Sequence, residues 1–326
     1  MTTTLTAQSP HLLRLFAYLK ERFPLGAYGI LTALYVAGAW SVAAQDVGFS
    51  RDDAFGAGST ALLAGKIALA FVNVLCVFFH LRIFDEMKDA QKDAIAHPER
   101  LVQRGIVTRA NLITWGAVAI VVEAVSAGVL GVPALIAWAC VFIFSVGMRV
   151  EFFIGSFIEP RPLTYAVTHQ PIMFLLAGFL YLAAGVPAQR LLDPLLLCHQ
   201  AASFGGLFAF EIARKLRAPE DETATELTYS KAHGQKRAAA VAALLLLAAT
   251  VGAAACASWF LLVIGLAAVA YAVYAFMPTR KNAKLQNLVT SLALLAIHAA
   301  LTATLFTALP QVPGAPSLLS TLEVHP

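Results

Sequence analysis

Residues 67–93 read IALAFVNVLCVFFHLRIFDEMKDAQKD. An apolar run gives way at Arg82, and Asp85, Asp89 and Asp93 then recur every four residues. Residues four apart are neighbours on a helix, and like charges there cost about 0.2–0.5 kcal/mol per pair. Either Lys88 and Lys92 balance these carboxylates, or something cationic is held beside them. An ordinary salt-bridged helix and a ligand-binding stripe account for this stretch about equally well.

The rest of the chain favours a membrane setting for that helix. Of 326 residues, 59% are hydrophobic and 13% charged, with a mean hydropathy of +0.74. Soluble domains carry about 25% charged residues. A bilayer core needs about 20 mostly apolar residues per helix. Nine segments qualify, at about 26–46, 61–84, 110–130, 132–150, 163–185, 191–213, 237–255, 257–277 and 285–309. An all-α, nine-helix integral membrane domain over 26–309 is therefore expected. Residues 1–25 precede it as an interfacial segment, and 310–326 follow as a flexible tail rich in proline. In the interfacial segment Ser9-Pro10 starts a helix. Leu12, Leu13, Phe16 and Leu19 set against Arg14, Lys20 and Arg22 give it an amphipathic character. No basic region precedes a clean apolar core there, so no cleaved signal peptide is expected.

Charge orients the spans. With the N-terminus inside, the inner segments take all of the 23 Lys and Arg residues except Arg51, Lys66 and Arg190. Lys/Arg-rich loops stay cytoplasmic, so the C-terminus is expected outside, in a bacterial inner membrane. Cys76, Cys140, Cys198 and Cys256 each lie in an apolar segment without a CxxC pair and read as small buried hydrophobes. No nucleic-acid signature appears. Nor is there a Walker A loop, a GxSxG elbow, an HExxH pair or a CxxCH site.

Two inner loops, 82–109 and 211–236, are longer and more charged than the others. The first sets Asp85, Asp89 and Asp93 ahead of His97, Arg100 and Arg104. Mg²⁺ takes oxygen ligands, keeps several waters and bridges to substrate phosphates. Arginine forks match phosphate oxygens. The second loop combines Glu211, Glu220, Asp221 and Glu222 with Arg214, Lys215 and Arg217. Positive-inside anchoring explains its bases but not its acids. Two such loops on one side can close on a diphosphate whose hydrocarbon tail enters the bilayer.

On these loops the chain resembles the UbiA superfamily of intramembrane prenyltransferases. That family has nine transmembrane helices, with aspartate-rich motifs after helices 2 and 6 on loops capping a central cavity. DEMKDAQKD matches its NDxxDxxxD motif, with Asp85 at the Asn position, Glu86 at the first Asp, and Asp89 and Asp93 at the next two. HPERLVQRGIVT is similar to the family's basic stretch. The second motif, DxxxD or DxxD, departs: Glu211 stands for the first acid, but Arg214 and Lys215 occupy the later places. Acids reappear only at Glu220, Asp221 and Glu222, while Thr228 and Gly234 fit the trailing Thr and Gly. Lys215 or Arg214 then replaces a metal as the diphosphate's counter-charge, or the ordinary transfer activity has changed.

The resemblance implies Mg²⁺-dependent transfer of a prenyl group from a prenyl diphosphate to a lipophilic or aromatic acceptor. Asp85, Asp89 and Asp93 are expected on the metal, with Glu211 as a further catalytic acid. Arg100, Arg104, Arg214, Lys215, Glu220 and Asp221 are expected around the substrate. Membrane lipids are the remaining partners, and nucleic acid is not one. Within the spans, Asn73 and His80 lie seven apart on the helix leading to Asp85 and are expected to face the cavity, as is Glu123. A membrane terpene cyclase and a non-catalytic transporter or accessory protein remain as alternatives.

Overall fold

The computed structural model describes residues 5–46, 60–222, 227–256, 265 and 280–308. No strand occurs among them. Lipid offers no hydrogen bonds, so a spanning backbone must satisfy itself, and helices do this within one segment. The helices are α1 (His11–Arg22), α2 (Leu25–Asp46), α3 (Thr60–Lys88), α4 (Ala90–Ala96), α5 (Arg109–Leu130) and α6 (Val132–Arg149). They continue with α7 (Gly155–Ile158), α8 (Pro162–His169), α9 (Ile172–Ala184), α10 (Pro194–Arg214), α11 (Tyr229–His233), α12 (Gln235–Cys256) and α13 (Arg280–Ala308).

Seven of these units are long and apolar enough to cross a bilayer: Leu25–Gln45, Ala61–Lys88, Arg109–Leu130, Val132–Arg149, Pro162–Ala184, Pro194–Arg214 and Gln235–Cys256. The expected nine are thus not reached among the described residues. The eighth, 257–277, and the tail 310–326 fall almost wholly outside them. The ninth is present as the helix α13, but its apolar part is shorter, Asn287–Thr302. The fifth span is interrupted between α8 and α9 at Gln170-Pro171, because proline lacks the N–H a continuous helix needs.

Local chemistry sets the other boundaries. Thr108 and Asn111 form a reciprocal capping box that starts α5. Gly131, at φ 120°, turns the chain directly from α5 into α6. Outward-facing Val118, Val121, Val125 and Val129 on α5 are 58–67% exposed. Such an apolar stripe is a liability in water but ordinary against lipid.

The helix pairs pack by the close approach that membranes favour, through small residues. A Cβ on Gly205 of α10 would stand 2.6 Å from the Leu245 carbonyl oxygen of α12, and one on Gly252 would press on the Cys198 carbonyl. The two backbones therefore touch at both ends of this contact. α1 lies against α3 and α5, with Tyr18 fully buried beside Phe79 and Trp115. Its opposite face leaves Leu12, Leu13 and Phe16 more than half exposed. Arg14 donates to Asn111 Oδ1 at 2.7 Å, which anchors α1 to the start of α5.

Candidate active site

α3 runs four residues beyond the expected end of its span and carries Asp85 on its last turn. The chain then bends at Asp89, whose φ/ψ of −90°/8° separates α3 from α4. The i to i−4 amide bonds nonetheless continue, from Asp89 to Asp85 and from Asp93 to Asp89, both 2.8 Å. The structure sets Asp93 apart from the other two. Asp93 is bonded to Arg100 at 2.7 Å and lies 3.8 Å from Arg22. Arg104 is exposed on the following turn. Glu86 is 1% exposed and held by Arg22 at 2.5 Å and Arg82 at 2.6 Å. Asp85 and Asp89 remain toward the opening, Asp85 with its side chain 52% exposed and 3.8 Å from Lys88.

The end of α10 faces them. Glu211 pairs with Arg214 at 2.5 Å and with Lys215 at 2.7 Å. Lys215 interacts electrostatically with Asp85 across the gap. The charges of Arg214, Asp85, Arg22 and Glu211 all act on Tyr28, at the start of α2. Lys215 also lies over the Tyr229 ring, 5.8 Å from its centroid. Burial, and then the Glu211 charge, push the Tyr229 hydroxyl well above the ordinary tyrosine range, so it stays protonated. The two charged loops thus meet at one mouth.

A third side of the mouth comes from the turn after α6. Glu151, Phe152 and Phe153 have φ of 51°, 52° and 61° in succession. Left-handed backbone costs a non-glycine residue roughly 1–2 kcal/mol, so three in a row mark a constrained presentation. The turn brings Glu151 to 3.7 Å from Lys88. Lys88 also donates to the Tyr165 hydroxyl in a very short bond. Burial and the neighbouring Glu159 push the Glu151 carboxyl up, while a 2.8 Å bond from Lys92 holds Glu159 down.

Other expected site residues lie elsewhere. Asn73 Nδ2 donates to the Glu123 carbonyl at 2.7 Å and to Ser126 Oγ at 2.9 Å. His80 Nδ1 is 2.7 Å from Glu123 Oε1, and its Nε2 is 3.0 Å from Ser145 Oγ. Trp138 Nε1 donates to Glu123 Oε2 at 3.0 Å. Asn73, His80 and Glu123 are all 0% exposed. They join α3, α5 and α6 rather than facing a cavity. Glu220 and Asp221 sit on the turn Pro219–Asp221. Asp221 lines a recess of about 450 Å³ with Arg214, Arg217, Lys284 and Asn287.

No family profile matches the sequence, and no curated protein does. A solved structure described as digeranylgeranylglyceryl phosphate synthase in membranes is similar over 89% of this chain and 99% of its own. The TM-score is 0.55 and the identity 16%. The chain shares the fold of that synthase, which is a UbiA-family intramembrane prenyltransferase. The chain is accordingly an integral membrane protein.

The resemblance read from the sequence implies a magnesium ion, with Asp85, Asp89 and Asp93 as its expected donors. Among the described residues, no three His, Cys, Asp or Glu side chains gather closely enough to hold a metal. The expected Asp85, Asp89 and Asp93 trio therefore does not form, since Asp93 is taken by arginines. Mg²⁺ does not require three, because one or two carboxylates with water and substrate phosphate suffice. Asp85 and Asp89, one helical turn apart at the open mouth, fit that smaller demand.

Sequence reading missed Arg22, Tyr28, Glu151, Tyr165 and Tyr229. Glu151 carried a usable signal, as an acid just past the inner end of a span, two residues from Arg149. The tyrosines carried none, because each reaches the mouth only through helix packing.

Proposed function

We propose that the protein transfers a prenyl group from a prenyl diphosphate to a lipophilic acceptor within the membrane. The observation that carries this reading is the convergence of charges on Asp85, near the end of α3: Lys88 and Asp89 from the first loop and Lys215, just past α10, from the second all act on it. The fold of the synthase described above supports the same class of reaction. That protein's name describes prenyl groups on glyceryl phosphate, which supports a lipid as the acceptor class.

In this reading the diphosphate lies at the mouth and the isoprenoid chain between the helices. Lys88, Lys215 and Arg214 face its oxygens and stabilise the charge that grows as the allylic C–O bond breaks. The bonding electron pair leaves with diphosphate. The acceptor's electron pair then forms the new bond at the first prenyl carbon, and the acceptor loses its proton. Tyr28, Tyr165 and Tyr229 supply hydroxyls around the opening, while the apolar spans exclude water that would otherwise capture the cation. Magnesium held by Asp85 and Asp89 would add positive charge to the leaving diphosphate. The loops would face the cytoplasm of a bacterial inner membrane, the side to which Lys and Arg segregate.

The test is diphosphate release by detergent-purified protein given C10, C15 and C20 prenyl diphosphates, with and without a membrane lipid extract, beside Asp89→Ala. Asp89 makes no side-chain cap bond to α4, so its removal should leave the helix intact. Release that needs the extract and drops at least about tenfold in Asp89→Ala is expected. Release without the extract would favour a cyclase. Absence of release from folded protein would overturn the reading.

A further inference from the structure

The second inner loop also closes over a recess of about 490 Å³, lined by Arg217, Glu222, Lys231, Gln235, Lys236 and Arg237. Four cations thus face one carboxylate, and that carboxylate is engaged. Glu222 accepts from Thr228 Oγ1 at 2.7 and 2.8 Å and from Ser230 Oγ at 2.7 Å.

Two of the cations stand where helix electrostatics opposes them. α12 is 22 residues long, has no acid in its first turn, and carries Lys236 and Arg237 there. A helix N-terminus holds roughly half a positive charge and favours anions. An anion in the recess would meet both side chains and the free N–H groups of the first turn.

The wall also contains polar groups that lack partners. Gln235 is 9% exposed, and neither its Nε2 nor its Oε1 has a hydrogen-bond partner. The Nε2 of His233, at the same wall, is likewise buried and unpartnered. Each such buried orphan is unfavourable unless something occupies the site. An oxygen-rich ligand supplies the acceptor that the Gln235 amide lacks.

The recess continues into an apolar slot. His233 and Arg237 border both, and Leu163, Ile212, Tyr229 and Val241 line the slot, which holds about 200 Å³ between α8, α10 and α12. A cationic pocket that opens into an apolar groove at the end of membrane spans has the shape of a lipid site.

We propose that this recess binds an anionic phospholipid. Lys236, Arg237 and the α12 N-terminus hold its phosphate, and the slot takes the start of an acyl chain. The inference does not depend on prenyl transfer, because binding is read without turnover.

Native mass spectrometry of the detergent-purified full chain tests it, with dioleoylphosphatidic acid, dioleoylphosphatidylcholine and inorganic phosphate as separate probes. Phosphatidic acid should be retained at least about tenfold more tightly than phosphatidylcholine. Lys236→Ala with Arg237→Ala, both exposed positions, should remove that preference, and Lys236→Arg with Arg237→Lys should keep it. Val241→Phe fills the slot without touching a charge and should weaken phosphatidic acid as well. Equal retention of the two lipids, or no change in the alanine and Val241→Phe variants, would overturn the proposal. Full displacement of the lipid by inorganic phosphate at equal concentration would assign the recess to a soluble phosphate and overturn the lipid.

Discussion

Glu123 separates scaffold from chemistry inside the spans. Ser145 Oγ donates to the Phe142 carbonyl at 2.7 Å, so its proton is committed. His80 Nε2 must then donate to Ser145 Oγ, at 3.0 Å. That leaves one proton between His80 Nδ1 and Glu123 Oε1, while Oε2 accepts from Trp138. Glu123→Gln preserves the whole set: the new Nε2 donates to Nδ1 of neutral His80, and the new oxygen accepts from Trp138. Glu123→Leu orphans both partners. Interhelical hydrogen bonds in membranes average about 0.6 kcal/mol and reach about 1.7, so losing two predicts about 1–3 kcal/mol. The glutamine change should stay within about 0.5 kcal/mol. Reversible unfolding in mixed micelles titrated with SDS measures both, with diphosphate release assayed in parallel. A glutamine variant of unchanged stability that loses more than tenfold in activity would refute the scaffold reading. A leucine variant as stable as the parent would show that the network contributes nothing measurable.

Four further changes test the fold and the mouth. Gly252→Val forces a side chain into the α10 backbone and should cost at least about 1–3 kcal/mol in the same unfolding assay. Gly178→Ala, which meets nothing within 4 Å on a helix, should be neutral or stabilise by up to about 1 kcal/mol. Arg22→Ala removes one of the two arginines on buried Glu86; a broken buried pair costs about 3–5 kcal/mol, and the remaining Arg82 should reduce this to about 1–3, with faster proteolysis between α1 and α2. Glu151 holds its proton to higher pH folded than unfolded, so that contribution is present in acid and is lost as pH rises through the folded value. The melting temperature of Glu151→Gln relative to the parent should therefore rise between about pH 4 and pH 8.

The membrane character and the two charged loops were readable because both rest on runs of one residue type. The separation of Asp93 from Asp85 and Asp89 has a geometric cause. At 3.6 residues per turn, a spacing of four drifts by about 40° per step, so a third residue lies about 80° from the first. Asp85 and Asp89 can share a face, but Asp93 falls toward Arg100 and Arg22, and the bend at Asp89 adds to the separation. Asn73 and His80, seven apart, do share a face, and the spacing was read correctly. Spacing does not say what that face meets, and here it meets Glu123 on α5. The acids Glu220 and Asp221 lie next to the second motif in sequence, and Pro219 starts a turn of their own that places Asp221 in a recess with Arg214 and Arg217.

The first acidic stretch therefore divides its work by helical phase. Glu86 and Asp93, seven apart, lie on one face and take the arginines, including Arg22 from α1. Asp85 and Asp89, four apart, lie on the other and meet the mouth. Four carboxylates crowded on one ligand would repel one another strongly. Four divided between a structural clamp and a substrate face do not, because each set carries its own cations. The clamp has a further consequence. α1 is held by Arg14 on Asn111, Tyr18 between Phe79 and Trp115, and Arg22 on Glu86, all from the helices that carry the first motif or pack against it. Its exposed Leu12, Leu13 and Phe16 face outward on the opposite side, where an amphipathic helix rests in the lipid interface. α1 is thus tied through Arg22 to Glu86, and Glu86 is the residue next to Asp85.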